Sequence, residues 1–248
     1  FRRPFGKNVA VNSKRDVFSV LLSGVQDTPV LNITIGVNWT LVETAEGCGL
    51  AQTPRRDAPG CQPVRNAGTL AEGGLAALAA LVQSDNPLET SVGVAAINAH
   101  HNRYNTEGPD LNGLGAFQDV EGLVAVIGRF PNLERHLNNY CVIEREPREG
   151  EYGEGDMEEI LPKCEAVVIT AATLANGSAG PIIELAGNAR KAFVGPGTPL
   201  APALFAEGIV CLAGMVIDDA ARARKVIGQG GAVAALKNCG RYVTLMAP

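Results

Sequence analysis

The chain has 248 residues, 46% of them hydrophobic and 19% charged, with a formal net charge of −5. That balance excludes a disordered chain and offers no clustered basic footprint for a nucleic acid. No apolar run approaches the roughly 20 residues of a membrane span and no signal peptide is evident, so the expectation is a cytoplasmic protein without nucleic-acid or membrane partners.

Six cysteines, Cys48, Cys61, Cys141, Cys164, Cys211 and Cys239, lie far apart with no CxxC pair. This argues against a zinc ribbon and for small core hydrophobes in a reducing compartment. Residues 14–24 carry a helical apolar stripe at Val17, Phe18, Val20, Leu21 and Leu22, which predicts a docking helix. Residues 30–44 alternate apolar with polar as a half-buried strand does, and Gly36 and Asn38 inside them indicate a hairpin turn or bulge. A long loop is expected over 46–66. Helices are predicted over 69–83, with Thr69 and Glu72 as a capping box, and over 87–102, which opens on Pro87 and a carboxylate in its first turn. Asn98, His101, Asn102 and Asn105 gather at the end of that second helix.

Past a Gly-, Asn- and Pro-rich boundary at 106–119 the pattern changes. Short Val- and Ile-rich runs at 123–128, 139–144, 166–171, 192–195 and 209–217 alternate with helical segments, as strands covered on both faces do. This predicts a doubly wound α/β domain with its ligand beyond the carboxyl ends of the strands. The turn Gly128, Arg129, Phe130, Pro131, Asn132 lacks G-x-G-x-x-G, so NAD is not expected. Glu144 ends the second strand, where an acid can hold a hydroxyl, or it simply begins a solvated acidic run. Thr170 ends the third strand. The fourth runs into Gly195, Pro196, Gly197, Thr198 and Pro199, with Thr198 placed as an N-cap and Pro199 at the first helical position. That turn reads as an oxyanion-accepting loop or as an ordinary βα connection. Adjacent His100 and His101 point about 100° apart on a helix and cannot share a metal as an i, i+4 pair would. Cys48, Cys61 and His101 are the candidates for a soft metal.

The segments SVGVAAINAHHN, VIGRFP, ILPKCEAVVIT and VGPGTPLAPALFAEG, in this order, resemble the DUF364 family, named for heavy-metal chelation, whose N-terminal part is classed as DUF4213. The resemblance implies an α/β fold with a small α+β enolase N-terminal-like domain over 1–118, followed by a Rossmann-like doubly wound parallel sheet domain over 119–248, and a site in the cleft between them. By resemblance Asn98, Asn102, Gly128, Phe130, Pro131, Glu144, Thr170, Gly195, Pro196, Gly197, Thr198 and Pro199 occupy family positions. His100 and His101 depart from the aromatic residues common there. Three functions follow as expectations. In the leading one, a small anionic ligand, such as a metal chelate or chelator precursor, sits between the domains. Asn98 and Asn102 orient it, the 195–198 turn takes its negative group, and Glu144 accepts from a hydroxyl or amine. The alternatives are a metal-handling module built on Cys48, Cys61 and His101, or a nucleotide-dependent enzyme by analogy with the Rossmann fold. The cofactor is open, with a transition or heavy metal as the candidate, and a homo-oligomer is compatible with the sequence.

Overall fold

The computed structural model describes residues 17–55 and 63–248. Helix α1 (Val17–Ser23) buries Val17, Val20 and Leu21, as its stripe predicts. Strands β1 (Val30–Ile35) and β2 (Trp39–Thr44) form an antiparallel hairpin, with a bulge between Val30 and Asn32. Its turn is closed by Gly36 N donating to Trp39 O at 2.9 Å. β1 is the outer strand of the sheet, so Leu31 and Val37 are left 64% and 76% exposed.

Three expectations need correction in this half. The predicted loop contains a strand, β3 (Cys48–Gln52), paired antiparallel with β2. It forms because Gly49 lets the backbone press onto the next helix: a Cβ there would overlap the Ala95 carbonyl oxygen and the Ala99 amide. The helix predicted over 69–83 is broken into a 3₁₀ turn (Leu70–Gly73), α2 (Gly74–Ala79) and a second 3₁₀ turn (Ala80–Gln83). The capping box does not form. Thr69 Oγ1 donates back to Asn66 O at 3.3 Å, and Gly74 takes φ +77°, outside the helical range.

Helix α3 (Pro87–His101) starts where predicted, with the Asn86 side chain accepting from Leu88 N at 3.0 Å. Every residue from Glu89 to Ala99 is buried. Its small residues let it lie between the β1–β2–β3 sheet, α2 and the second sheet. Gly93 is pressed so closely on the Val82 amide that a Cβ would overlap it. The buried Glu89 carboxylate is satisfied by Arg65 Nη2 at 2.8 Å, the Arg65 amide at 2.9 Å and Ser84 Oγ at 2.6 Å.

The second sheet comprises β4 (Val124–Ile127), β5 (Tyr140–Glu144), β6 (Tyr152–Gly153), β7 (Ala166–Thr170), β8 (Arg190–Val194), β9 (Ile209–Ile217) and β10 (Gly240–Met246), in the order β10-β9-β8-β7-β4-β5-β6. All neighbours are parallel except β10 and β9. Counting from β4, the six parallel strands lie 3-2-1-4-5-6, the dinucleotide-fold order, with its reversal between β4 and β7. The connections carry α4 (Met157–Ile160), α5 (Ala172–Ala175), α6 (Ala179–Ala186), α7 (Ala220–Gly228) and α8 (Val233–Leu236). The helix predicted after the first turn is only a 3₁₀ turn (Leu133–Arg135), entered through Asn132 in a left-handed conformation at φ 57°. Among the described residues no helix is long and apolar enough to cross a membrane.

The two sheets share their cores. Leu41, Cys48 and Leu50 pack with Met215, Ile217 and Ile227, and α3 packs in one cluster with Ala125, Ile169 and Leu212. β10 also holds the connection between them: Arg241 Nη2 donates to Tyr104 O and Thr106 O, and Thr244 Oγ1 donates to Leu111 O at 2.8 Å.

Gly49→Ala should destabilise the protein by about 1–3 kcal/mol through overpacking of β3 on α3. Gly180→Ala, in α6 with open space at its Cβ, should instead gain up to about 1 kcal/mol. Denaturant unfolding of the two variants measures both signs.

Candidate functional site

The strand ends predicted to outline a pocket are neighbours. β4 runs into Gly128 at φ +101° and β8 into Gly195 at φ +132°, conformations that favour glycine. A Cβ on Gly128 would sit 3.0 Å from the Thr170 side chain, and one on Gly195 would sit 3.7 Å from Ala171 Cβ. The Ala171 amide donates to Val194 O at 3.0 Å and the Gly195 amide to Ala213 O at 3.0 Å. Gly128, Thr170 and Gly195 therefore meet at the reversal of strand order, where open α/β sheets bind ligands. β3 reaches the same place from the other sheet: a Cβ on Gly197 would lie 3.1 Å from Leu50 O.

The turn after β8 corrects one expectation. Thr198 is not an N-cap and Pro199 does not begin a helix. The next helical turn is 3₁₀, over Pro202–Glu207, with Ala201 before it in extended conformation. The sequence TPLAP explains this, since a residue preceding proline is pushed from helical to extended backbone, and here that applies to both Thr198 and Ala201. Thr198 N instead closes the turn on Gly195 O at 3.0 Å.

Two buried amides hold the turn in place. Asn98 Nδ2 donates to Leu50 O at 2.6 Å and Gly197 O at 2.8 Å. Asn102 Nδ2 donates to Thr198 O at 2.9 Å and Met215 O at 3.1 Å, while its Oδ1 accepts from Leu200 N at 2.9 Å. Both side chains are fully buried, as is Thr198. These amides contact backbone, and they reach the strand-end surface through the turn they fix. Asn98 Oδ1 and Thr198 Oγ1 have no hydrogen-bond partner among the described residues. Pro196 is half-buried and Pro199 buried beside them; Asn105 is exposed away from this node.

The β5 end is charged. Glu144, half-buried, accepts from Arg145 N at 3.1 Å. Arg129 grips Glu151 with Nε at 2.9 Å and Nη2 at 2.6 Å and reaches Glu146 O at 2.6 Å. Those bonds hold the Glu151 carboxyl near 2. The acidic run thus has fixed arginine partners, which neither its spacing nor its composition reveals. Arg55, just beyond β3, meets Glu146 at 3.2 Å and brings the first sheet's loop to the same edge. Phe130 is half-buried and Pro131 exposed alongside.

Of the proposed soft-metal residues, the two that are described, Cys48 and His101, bond different partners. Cys48 is buried against the Tyr104 hydroxyl at 3.1 Å, and burial pushes its thiol up to about 11. His101 donates from Nε2 to Leu21 O at 3.3 Å, and burial lowers it to about 4, so its imidazole is neutral. Cys61 lies outside the described residues. Among the described residues no group of three or more His, Cys, Asp or Glu is placed to hold a metal ion. The strand-end turns offer amides, glycines and hydroxyls, which do not fit a bare heavy metal.

Asn102→Ala strands two carbonyls and an amide and should cost about 2–4 kcal/mol, read by chemical denaturation. His101 titrates below its ordinary 6.5. Stability present above pH 6.5 is therefore lost as pH falls towards 4 and levels off below, a change on the order of 3 kcal/mol. His101→Gln, which keeps a donor for Leu21 O, should flatten the melting temperature across that window.

Comparison with known proteins agrees with this architecture. Residues 18–101 match the DUF4213 family and residues 117–246 the DUF364 family, both described as "Putative heavy-metal chelation". A DUF364 protein of unknown function from Desulfitobacterium hafniense DCB-2 is similar at 30% identity and TM-score 0.79, covering 93% of this chain and 98% of that one. A second, from Pyrococcus horikoshii, shares the fold at 22% identity and TM-score 0.76, with the same coverage. No curated protein matches significantly. The chain belongs to the DUF364 family.

Proposed function

We propose that the protein binds a small anionic organic molecule, free or as a metal complex, at the strand-order reversal between β4 and β7, with a unit over 1–118 and a unit over 119–248 both contributing. The observation that carries this reading is the meeting of Gly128, Thr170 and Gly195, two of them at positive φ, with β3 closing from the other sheet. The family description supports a chelate or chelator precursor over a bare ion, because the donors for an ion do not converge there. The anionic group sits against the uncharged turn over 195–198, where the Gly197 amide is the backbone donor not used by Ala213 O or Gly195 O, and the Thr170 hydroxyl contributes beside it. Glu144 accepts from a hydroxyl or amine at the other end of the ligand, and Phe130 and Pro131 flank it. Asn98 and Asn102 are positioning residues that hold the turn's backbone. Five free cysteines among the described residues agree with a reducing, cytoplasmic setting.

The reading is tested with citrate and inorganic phosphate as probes in thermal-shift titrations, alongside native mass spectrometry for a retained organic mass. The wild type should melt higher with a probe. Thr170→Val, which removes one hydroxyl at constant shape, should weaken binding roughly tenfold. Gly128→Ala, strained at φ +101°, should weaken it further. Unchanged affinity in both variants would reject the site.

A further inference from the structure

Strand β1 is paired on one side only. β2 lies along its inner edge, and among the described residues no strand lies along its outer edge. The donation from Gly36 N to Trp39 O makes those two residues a hydrogen-bonded pair, and an antiparallel ladder alternates from there. Thr34 and Leu41 form the next bonded pair, so Ile33 and Ile35 turn their N–H and C=O groups away from β2. Free edges of this kind are normally blunted by lysine, proline or an inward-pointing charge. From Thr28 to Val42 the sequence has no charged residue, and Pro29 lies before the strand rather than in it. The bulge between Val30 and Asn32 bounds the regular edge at its start, and the Gly36 turn bounds it at its end. Apolar side chains line this stretch. Leu31 is 64% exposed, Ile35 38% and Val37 76%, with Ile33 half-buried among them. Large apolar side chains exposed together mark a contact surface.

We propose that the outer edge of β1 docks a second copy of this chain, the two β1 strands pairing antiparallel across a two-fold axis at Thr34 and joining the two three-stranded sheets into one. The choice of a second copy follows from symmetry and charge. A two-fold contact sets one surface against itself, so that surface must be self-complementary. The apolar set is symmetric about Thr34: Ile33 lies opposite the partner's Ile35, and Leu31 opposite the partner's Val37. With Thr34 opposite its own copy in a non-bonded pair, the outward N–H and C=O groups of Ile33 meet those of the partner's Ile35, which is the alternation an antiparallel ladder requires. Each chain carries a net charge of −5, and a neutral edge brings two of them together without setting like charges opposite each other. The contact is short, at the small end of interface sizes, so association belongs in the micromolar range. β3 rather than β1 borders the strand-end turns, so the proposal does not depend on what binds there.

The test is sedimentation velocity of the full-length chain from low to high micromolar concentration, with hydrogen exchange of the Ile33 and Ile35 amides at both ends of that range. A reversible monomer–dimer equilibrium is expected, with exchange of the two amides slowing as dimer forms. Ile35→Lys, which puts a cation on the edge, should weaken association roughly tenfold or more. Leu31→Lys and Val37→Glu should each weaken it alone and recover it when the two variants are mixed, because only the mixture sets the cation opposite the carboxylate. That recovery also shows both variants to be folded. A chain that stays monomeric throughout, association that Ile35→Lys leaves unchanged, or variants that stay apart when mixed would overturn the proposal. So would amides protected equally at every concentration, the result expected if the chain itself covers the edge.

Discussion

The molecule depends on the contact between α3 and β3. A helix buried around its whole circumference cannot use an amphipathic stripe to choose its neighbours. Small residues choose them instead: Gly49 and Gly93 allow backbone-to-backbone approach on two sides. Close approach would strand polar groups at the helix end, and Asn98 and Asn102 meet that cost with bonds to the carbonyls of Leu50, Gly197, Thr198 and Met215. Net gain per hydrogen bond is only about 1 kcal/mol, yet a buried group left unpaired costs about 1–3 kcal/mol. The amides therefore act mainly as a register device. One helix end fixes β3, β9 and the turn after β8 relative to each other.

That geometry makes the strand-end surface a composite. The parallel sheet supplies Gly128, Thr170 and Gly195, as the 3-2-1-4-5-6 order dictates. The antiparallel sheet supplies the floor at Leu50 and the Arg55 contact to Glu146. Charge is graded across it, from paired acids and arginines at the β5 end to neutral backbone at β8. A heavy-metal chelation family description and a strand-end surface with no converging group of metal donors among the described residues are compatible when the metal arrives already complexed.

Much of this was legible in the residues. The Val- and Ile-rich runs marked the inner parallel strands, since strands covered on both faces are apolar throughout, and Pro87 marked the start of α3. β3 and β10 escaped because CGLAQ and GRYVTLM have neither a long apolar run nor clean alternation; each forms by pairing with a neighbour already in place. The TPLAP segment misled because a favourable N-cap residue was outweighed by two prolines acting on the residues before them. Asn98 and Asn102 stood out as amides at one helix end, but their partners are 48 to 113 residues away in sequence. No local pattern encodes contacts of that range.

The clasp of β10 on the connection between the sheets bears on how the chain is made. Arg241 and Thr244 bind Tyr104, Thr106 and Leu111, so the segment leaving α3 is secured by residues synthesised more than a hundred positions later. Met215, which Asn102 needs, also comes late. During translation the first half can collapse around α1, α2 and α3, but the end of α3 keeps exposed carbonyl-seeking amides until the final strands leave the ribosome. Completion of the fold is therefore a single late event that couples both ends of the chain, and a nascent chain stalled before β9 would carry a polar, unsealed helix end on an otherwise apolar surface.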